Sequence, residues 1–263
     1  MPVNRLNGKT ALITGGARGL GLAMAKAYLA EGANVGIVDI DPATLAAAAK
    51  DLDSHRDRVL LLEADLAIRT EAARTAGRIA EALGPVNVLI NNAAWTRYEQ
   101  LHELKEETVD RMMNVGLKAV FWMTQAVAPG MIERKAGSVI NISSIVAQTG
   151  LAYSLVYAAI KSGLNGFTRA LAIDLGQHGI RANAIAPSAI PSEMSRGILD
   201  PAGWEGRRRR TPLGRIGAES DVANTAVFLG SDESSFITGE IIRVDGGYCI
   251  GGAIPGVDVP LRT

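Results

Sequence analysis

Short runs of β-branched and apolar residues alternate along this chain with longer Ala- and Leu-rich stretches of helical period, and that alternation limits the fold more than any other feature. The strand candidates are Thr10–Thr14, Asn34–Asp39, Val59–Ala64, Val86–Asn91, Ser138–Ser143, Ile180–Ala186 and Ile241–Val244. Helices are expected near 19–31, 42–52, 70–83, 105–134, 153–177 and 219–229. The early strands are nearly all apolar instead of alternating, as strands are when helices cover both faces of a sheet. Strand–helix–strand repetition with right-handed crossovers then gives a doubly wound α/β sandwich on a parallel sheet of about seven strands.

A chain of 263 residues fits one large domain, and no linker-like segment divides residues 1–263. Residues 188–218 break the rhythm with prolines and a charge cluster, and read as a lid over a substrate site. Twenty-seven basic residues balance twenty-seven acidic ones, so no global field draws the chain to nucleic acid or a membrane surface. The single cysteine, Cys249, cannot form an internal disulfide, and three scattered histidines offer no metal-ligand spacing. No run approaches a membrane span or an apolar leader, so a cytoplasmic enzyme without a metal is expected.

The first strand runs into Thr14-Gly-Gly-Ala-Arg-Gly-Leu-Gly21 and then a helix. Gly15, Gly19 and Gly21 permit a tight turn and close backbone approach. The helix start then offers free N–H groups and its positive dipole end to a pyrophosphate. Such a loop can be no more than a turn, but here a strand precedes it, a helix follows, and Asp39 closes the next strand. A carboxylate there accepts hydrogen bonds from both ribose hydroxyls and repels a 2′-phosphate, which favours NAD over NADP. Ile40 and Asp41 add no positive charge behind it. Arg18, inside the loop, is the opposing feature: it can reach a 2′-phosphate, unless it is solvated or paired with a carboxylate.

Tyr157 has a lysine four residues on, Tyr157-Ala-Ala-Ile-Lys161, which on a helix puts phenol and ammonium on one face. A free tyrosine ionises near pH ~10. A fixed lysine cation, aided by a nicotinamide's charge, is expected to lower that value toward the working pH. Upstream, Asn141-Ile-Ser-Ser-Ile closes the fifth strand and puts Ser144 where strand ends of this fold present ligand-binding groups.

Here the sequence resembles the short-chain dehydrogenase/reductase family, across nearly the whole chain. The matching pieces are the glycine loop, Asp65-Leu66, Asn91-Asn-Ala-Ala, Asn141-Ile-Ser-Ser, Tyr157-x-x-x-Lys161, Asn183-Ala-Ile-Ala-Pro187 and Val244-Asp-Gly-Gly247, in that order. The resemblance implies a Rossmann-type fold. It makes Tyr157 the general acid/base, Ser144 a donor to the substrate oxygen, and Lys161 the holder of the nicotinamide ribose. For the cofactor it implies a loop of Gly15, Arg18, Gly19, Leu20 and Gly21, with Asp39 and Ile40 at the next strand end. Asp65 and Leu66 would flank the adenine, and Asn92, Ala93 and Ala94 would line the middle of the dinucleotide. Pro187, the Ile190 backbone and the Ser192 hydroxyl would border the carboxamide. Asn91 and Asn92 also have a purely structural reading, as caps on the central strand. The resemblance further implies a homotetramer joined through helices 105–134 and 153–177.

Four positions depart from the family pattern: Ala94 and Ser188 for glycines, Ser192 for a threonine, and Gly116 for an asparagine that completes a catalytic tetrad. The substrate pocket is expected between the loop at Trp95, Thr96 and Arg97, the segment Ile145–Tyr153, and the lid. Trp95, Leu151 and Tyr153 suggest an apolar slot, and Gln148 a polar contact. Arg207–Arg210 is either a solvated or subunit-contact helix end, or a clamp for an anionic substrate. The leading reading is an NAD-dependent oxidoreductase acting on a small-molecule secondary alcohol or ketone. The alternatives are an NADP-dependent carbonyl or 3-ketoacyl reductase, for which Arg18 and the arginine run speak, and a non-catalytic dinucleotide-binding protein, for which Gly116 speaks.

Overall fold

The computed structural model describes residues 4–191 and 199–251. Its first strand, β1 (Thr10–Thr14), accounts for its own composition: Ala11 and Ile13 enter one hydrophobic core, and Leu12 enters a second core on the other side of the sheet. With both faces covered, no interior position of the strand gains from being polar. The remaining strands are β2 (Asn34–Asp39), β3 (Val59–Glu63), β4 (Val86–Asn91), β5 (Gly137–Ile142), β6 (Ile180–Pro187) and β7 (Ile241–Val244). They lie in the order β3-β2-β1-β4-β5-β6-β7, and every pairing is parallel.

The helices are α1 (Gly19–Ala30), α2 (Pro42–Asp51), α3 (Arg69–Leu83), α4 (Glu106–Met113), α5 (Ala119–Arg134), the single turn α6 (Val146–Thr149), α7 (Leu155–Gly176), α8 (Pro201–Arg209) and α9 (Glu219–Gly230). Tyr28 of α1, Leu45 of α2 and Val227 of α9 belong to the first core; Ile79 of α3, Met123 of α5 and Leu175 of α7 belong to the second. The Tyr28 hydroxyl is buried, and donates to the Ala226 carbonyl at 2.6 Å, locking α1 to α9. After β3 the chain crosses back to place β4 on the free side of β1. The carboxyl ends of β1 and β4 therefore diverge into a crevice.

The helix expected over 105–134 is not one α-helix. A π-turn at Asn114–Lys118 joins α4 to α5, with Gly116 buried in it. A Cβ added to Gly116 would lie 3.0 Å from Ile160 Cγ2, so a side chain here would press on α7 one residue before Lys161. Apolar spacing does not distinguish a single π-turn from continuous helix, and such turns recur at functional sites. Within the expected lid, α8 starts at Pro201 and is capped by Asp200, whose carboxylate accepts from the Gly203 N–H at 2.6 Å. Residues 192–198 of that lid lie outside the described residues.

Candidate active site

Because the strands are all parallel, the loops after them open on one edge of the sheet, where they enclose a cavity of about 540 Å³. The glycine loop forms one wall. The Gly15 N–H donates to the Val38 carbonyl at 2.7 Å, and Gly19 takes a left-handed φ of +53° at the start of α1. A Cβ on Gly21 would run into the Gly15 carbonyl, so the turn closes only with glycine there. Asn92 braces the loop, its Nδ2 donating to the carbonyls of Thr14 at 3.0 Å and Gly15 at 2.8 Å. The Thr14 hydroxyl in turn accepts from the backbone N–H groups of Asn92 and Ala93, each at 3.0 Å. The Asn92 side chain is thus a brace between β1 and β4, which is the structural reading of that residue.

α1 opens into the cavity with no side-chain cap and no acidic residue in its first turn. Its amino-terminal N–H groups and dipole therefore face the place where a pyrophosphate would lie. At the end of β2, Asp39 lines the same cavity. Its carboxylate accepts from Ile40 N–H at 2.8 Å and Ala17 N–H at 3.3 Å, which fixes it beside the glycine loop. Asp65 holds the turn after β3 by accepting from Ala67 N–H at 3.0 Å, and buried Leu66 follows it along the wall. An uncapped helix start, a glycine cradle and an anchored carboxylate together fit a nicotinamide dinucleotide.

At the other end, Ser144 follows β5, and its Oγ accepts from Val146 N–H at 3.2 Å. Tyr157 and Lys161 stand one turn apart on α7, with the Lys161 Nζ 5.5 Å from the Tyr157 ring centre. Lys161 is buried and donates to the Ile142 carbonyl at 2.6 Å. Burial lowers its pKa from 10.5 to about 8. Burial also raises Tyr157 to about 12, against the lowering effect of a hydrogen bond with Ser144; nearby Tyr98 raises it further. Without a nicotinamide charge in the cavity, the chain's own groups do not depress the phenol, because desolvation dominates.

Gly15, Arg18, Gly19, Leu20, Gly21, Asp39, Ile40, Asp65, Leu66, Asn92, Ala93, Ala94, Trp95, Ser144, Tyr157, Lys161, Pro187 and Ile190 all line this one cavity. Ser192 lies outside the described residues. Gln148 is not brought in: α6 turns Val146 and Thr149 to the cavity, while Gln148 is exposed and faces Arg243 at 3.5 Å. Tyr153, at φ +63°, is exposed outside the cavity, and Arg97 pairs with Glu99 at 2.9 Å instead of lining it. Sequence reasoning missed Tyr98, Arg111, Trp204 and Tyr248 as lining residues, and did not separate Arg207 from its run. For Tyr248 a signal existed. The Val244-Asp-Gly-Gly turn is tied by Asp245, which accepts from the N–H groups of Gly247 and Cys249, both at 2.9 Å, and so fixes the residue between them.

A doubly wound sheet with a glycine cradle at its switch point and a Ser–Tyr–Lys group beside it defines a class, the dinucleotide-dependent oxidoreductases. Residues 15–249 match the family model described as enoyl-(acyl carrier protein) reductase. The chain is 39% identical over 246 residues to the 3-oxoacyl-[acyl-carrier-protein] reductase FabG of Thermotoga maritima, covering 94% of this chain and 100% of that protein. It is 32% identical over 246 residues to D-threitol dehydrogenase of Mycolicibacterium smegmatis, covering 94% and 95%. Among solved structures, a gluconate 5-dehydrogenase from Burkholderia cenocepacia in complex with NADP and tartrate superposes with a TM-score of 0.89 at 31% identity, covering 95% of this chain and 99% of that one. The chain belongs to the short-chain dehydrogenase/reductase family, whose members here act on CH–OH groups.

Proposed function

We propose that the protein interconverts a secondary alcohol and a ketone with NAD, using Ser144, Tyr157 and Lys161 as its catalytic group. One observation carries this reading: the three side chains converge on the cavity that also holds the glycine cradle. The nicotinamide cofactor, when bound, supplies or accepts the hydride at the substrate carbon. Ser144 donates a hydrogen bond to the substrate oxygen and steadies the charge that develops there. Tyr157 exchanges a proton with that oxygen: it gives one to a ketone being reduced, and takes one from an alcohol being oxidised. With its pKa near 12, Tyr157 is a phenol at neutral pH, the form that donates. Lys161, held by Ile142, orients the ribose and replenishes the proton.

Asp39 supports NAD: its carboxylate, fixed by the Ala17 and Ile40 N–H groups at the end of β2, would accept hydrogen bonds from ribose hydroxyls and repel a 2′-phosphate. The second reading, an NADP-dependent carbonyl or 3-ketoacyl reductase, draws on Arg18, which also lines the cavity, and on the FabG relatives. We read residues 188–218 as the substrate lid of a single catalytic domain. No helix among the described residues is long and apolar enough to cross a membrane, and we read the protein as cytoplasmic. Exposed Phe121, Leu155 and Ile173 on α5 and α7 support assembly as a homotetramer through those helices. Turnover of an alcohol and ketone panel with each cofactor tests the function. Activity with NAD at least tenfold above NADP is expected. The reverse preference moves the protein to the second reading, and tight nucleotide binding without turnover of any substrate overturns the enzyme reading.

A further inference from the structure

The charges that line the cavity differ along its length. Its acidic lining residues, Asp39 at the end of β2 and Asp65 after β3, share one side with Arg18 of the glycine loop. These strands lie on the adenosine side of the sheet. On the side of β4 to β7, the charged lining residues among those described, apart from Lys161, are two arginines, Arg111 and Arg207. Each lies over an aromatic ring of the same wall: the Arg111 guanidinium carbon is 5.2 Å from the centre of Trp95, and that of Arg207 is 4.7 Å from the centre of Tyr248. A cation–π contact of this kind supplies no conventional acceptor to the guanidinium N–H groups, which stay available to a planar anion.

Arg207 is the member of the Arg207–Arg210 run that lines the cavity. Its neighbour Arg208 is committed to Glu205, at 2.6 and 2.7 Å. Arg207 has no carboxylate partner among the described residues. Trp204, one helical turn earlier on the same face of α8, also lines the cavity. Both ends of this contact are fixed before any ligand arrives, α8 by its Asp200 cap and Tyr248 by the Asp245 turn.

We propose that the substrate carries a carboxylate as well as its reacting alcohol or ketone, and that Arg207 binds that carboxylate. The argument rests on the oxidoreductase reading above and narrows its substrate class. A single guanidinium fork matches a carboxylate in two parallel hydrogen bonds. The Trp204 and Tyr248 rings shield that contact from water, which strengthens it. A neutral alcohol of equal size would leave the cation without a partner, so the site discriminates against it.

The test uses three keto acids of increasing length, acetoacetate, 4-oxopentanoate and 5-oxohexanoate, each beside its methyl ester. Reduction is followed with NADH and NADPH for the wild type, Arg207→Gln, Arg207→Lys and Arg209→Gln, after melting curves show that each variant folds. At least one acid should exceed its ester tenfold in kcat/KM. Arg207→Gln should collapse that ratio toward one, Arg207→Lys should retain part of it, and Arg209→Gln, which removes an exposed charge of the same run, should retain it. No preference for any acid, or a ratio that survives Arg207→Gln, overturns the proposal. Binding of the same acids and esters is measured in parallel by quenching of bound NADH fluorescence. Acid binding that depends on Arg207 without any turnover upholds this proposal and defeats the oxidoreductase reading. Turnover without Arg207-dependent acid binding does the opposite.

Discussion

Replacing Lys161 by methionine should make the cofactor-free protein more stable at neutral pH while destroying its function. Lys161 is buried, and burial lowers its pKa from 10.5 to about 8. Below pH 8 the folded protein must carry a charge that the unfolded chain holds at no cost. At about 1.4 kcal/mol per unit, the displacement amounts to about 3 kcal/mol of lost stability at pH 7. Methionine removes the charge at similar length, but leaves the Ile142 carbonyl without its 2.6 Å donor, which costs about 1–3 kcal/mol. The expected net gain at pH 7 is about 1 kcal/mol, or roughly 2–4 °C in Tm for a chain of this size. The sign with pH is definite. Between about pH 8 and 10.5 the unfolded lysine still holds its proton and the folded one has released it, so wild-type stability gains on the variant by about 1.4 kcal/mol per unit. Tyr157 titrates in both proteins and cancels in the difference. Calorimetric melting of both proteins from pH 6 to 10.5 measures that difference. A variant that is less stable at pH 7, with a gap that does not change with pH, would refute the account of a buried, charge-penalised lysine.

Two further substitutions test other parts of the site. Asp39→Ala should move the NAD:NADP affinity ratio toward NADP by at least tenfold, about 1.4 kcal/mol, as equilibrium titration of each cofactor will show; an unchanged ratio would contradict the role given to that carboxylate. Gly116→Asn puts a Cβ 3.0 Å from Ile160, so stability in a denaturant titration should fall by an overpacking cost of about 1–3 kcal/mol while turnover changes less than tenfold. An inert wild type revived by the asparagine would show instead that the glycine disables the site.

What the sequence made legible was whatever depends on local chemistry. β1, β2, β4 and β7 match their expected limits because their apolar runs are bounded by turn residues, and the glycine loop and Asp39 follow from where those runs end. Tyr157 and Lys161 were readable because helical spacing alone puts them on one face. The phase and surroundings of weakly patterned segments were not. α8 is rich in glycine and arginine, so its apolar periodicity is faint, and only its Asp200–Pro201 start marks it as a helix. Which arginine of the run meets the cavity depends on that helix's phase, and on Tyr248, some forty positions later in the chain. Gln148 was assigned by proximity along the chain, which does not reveal that the α6 turn carries it outward. The pKa of Tyr157 was argued from its charged neighbour, whereas the larger effect is desolvation by the packed chain around it.

The central claim is that Tyr157 moves the proton while the rest of the cavity binds the cofactor. The most direct measurement pairs NADH affinity with the single-turnover rate of carbonyl reduction, in the wild type and in Tyr157→Phe. Removal of one hydroxyl should leave NADH affinity within about threefold and slow reduction by about 10²–10⁴-fold, the range for loss of a positioned acid. Reduction by Tyr157→Phe at more than a tenth of the wild-type rate would contradict the claim and assign the proton to another group.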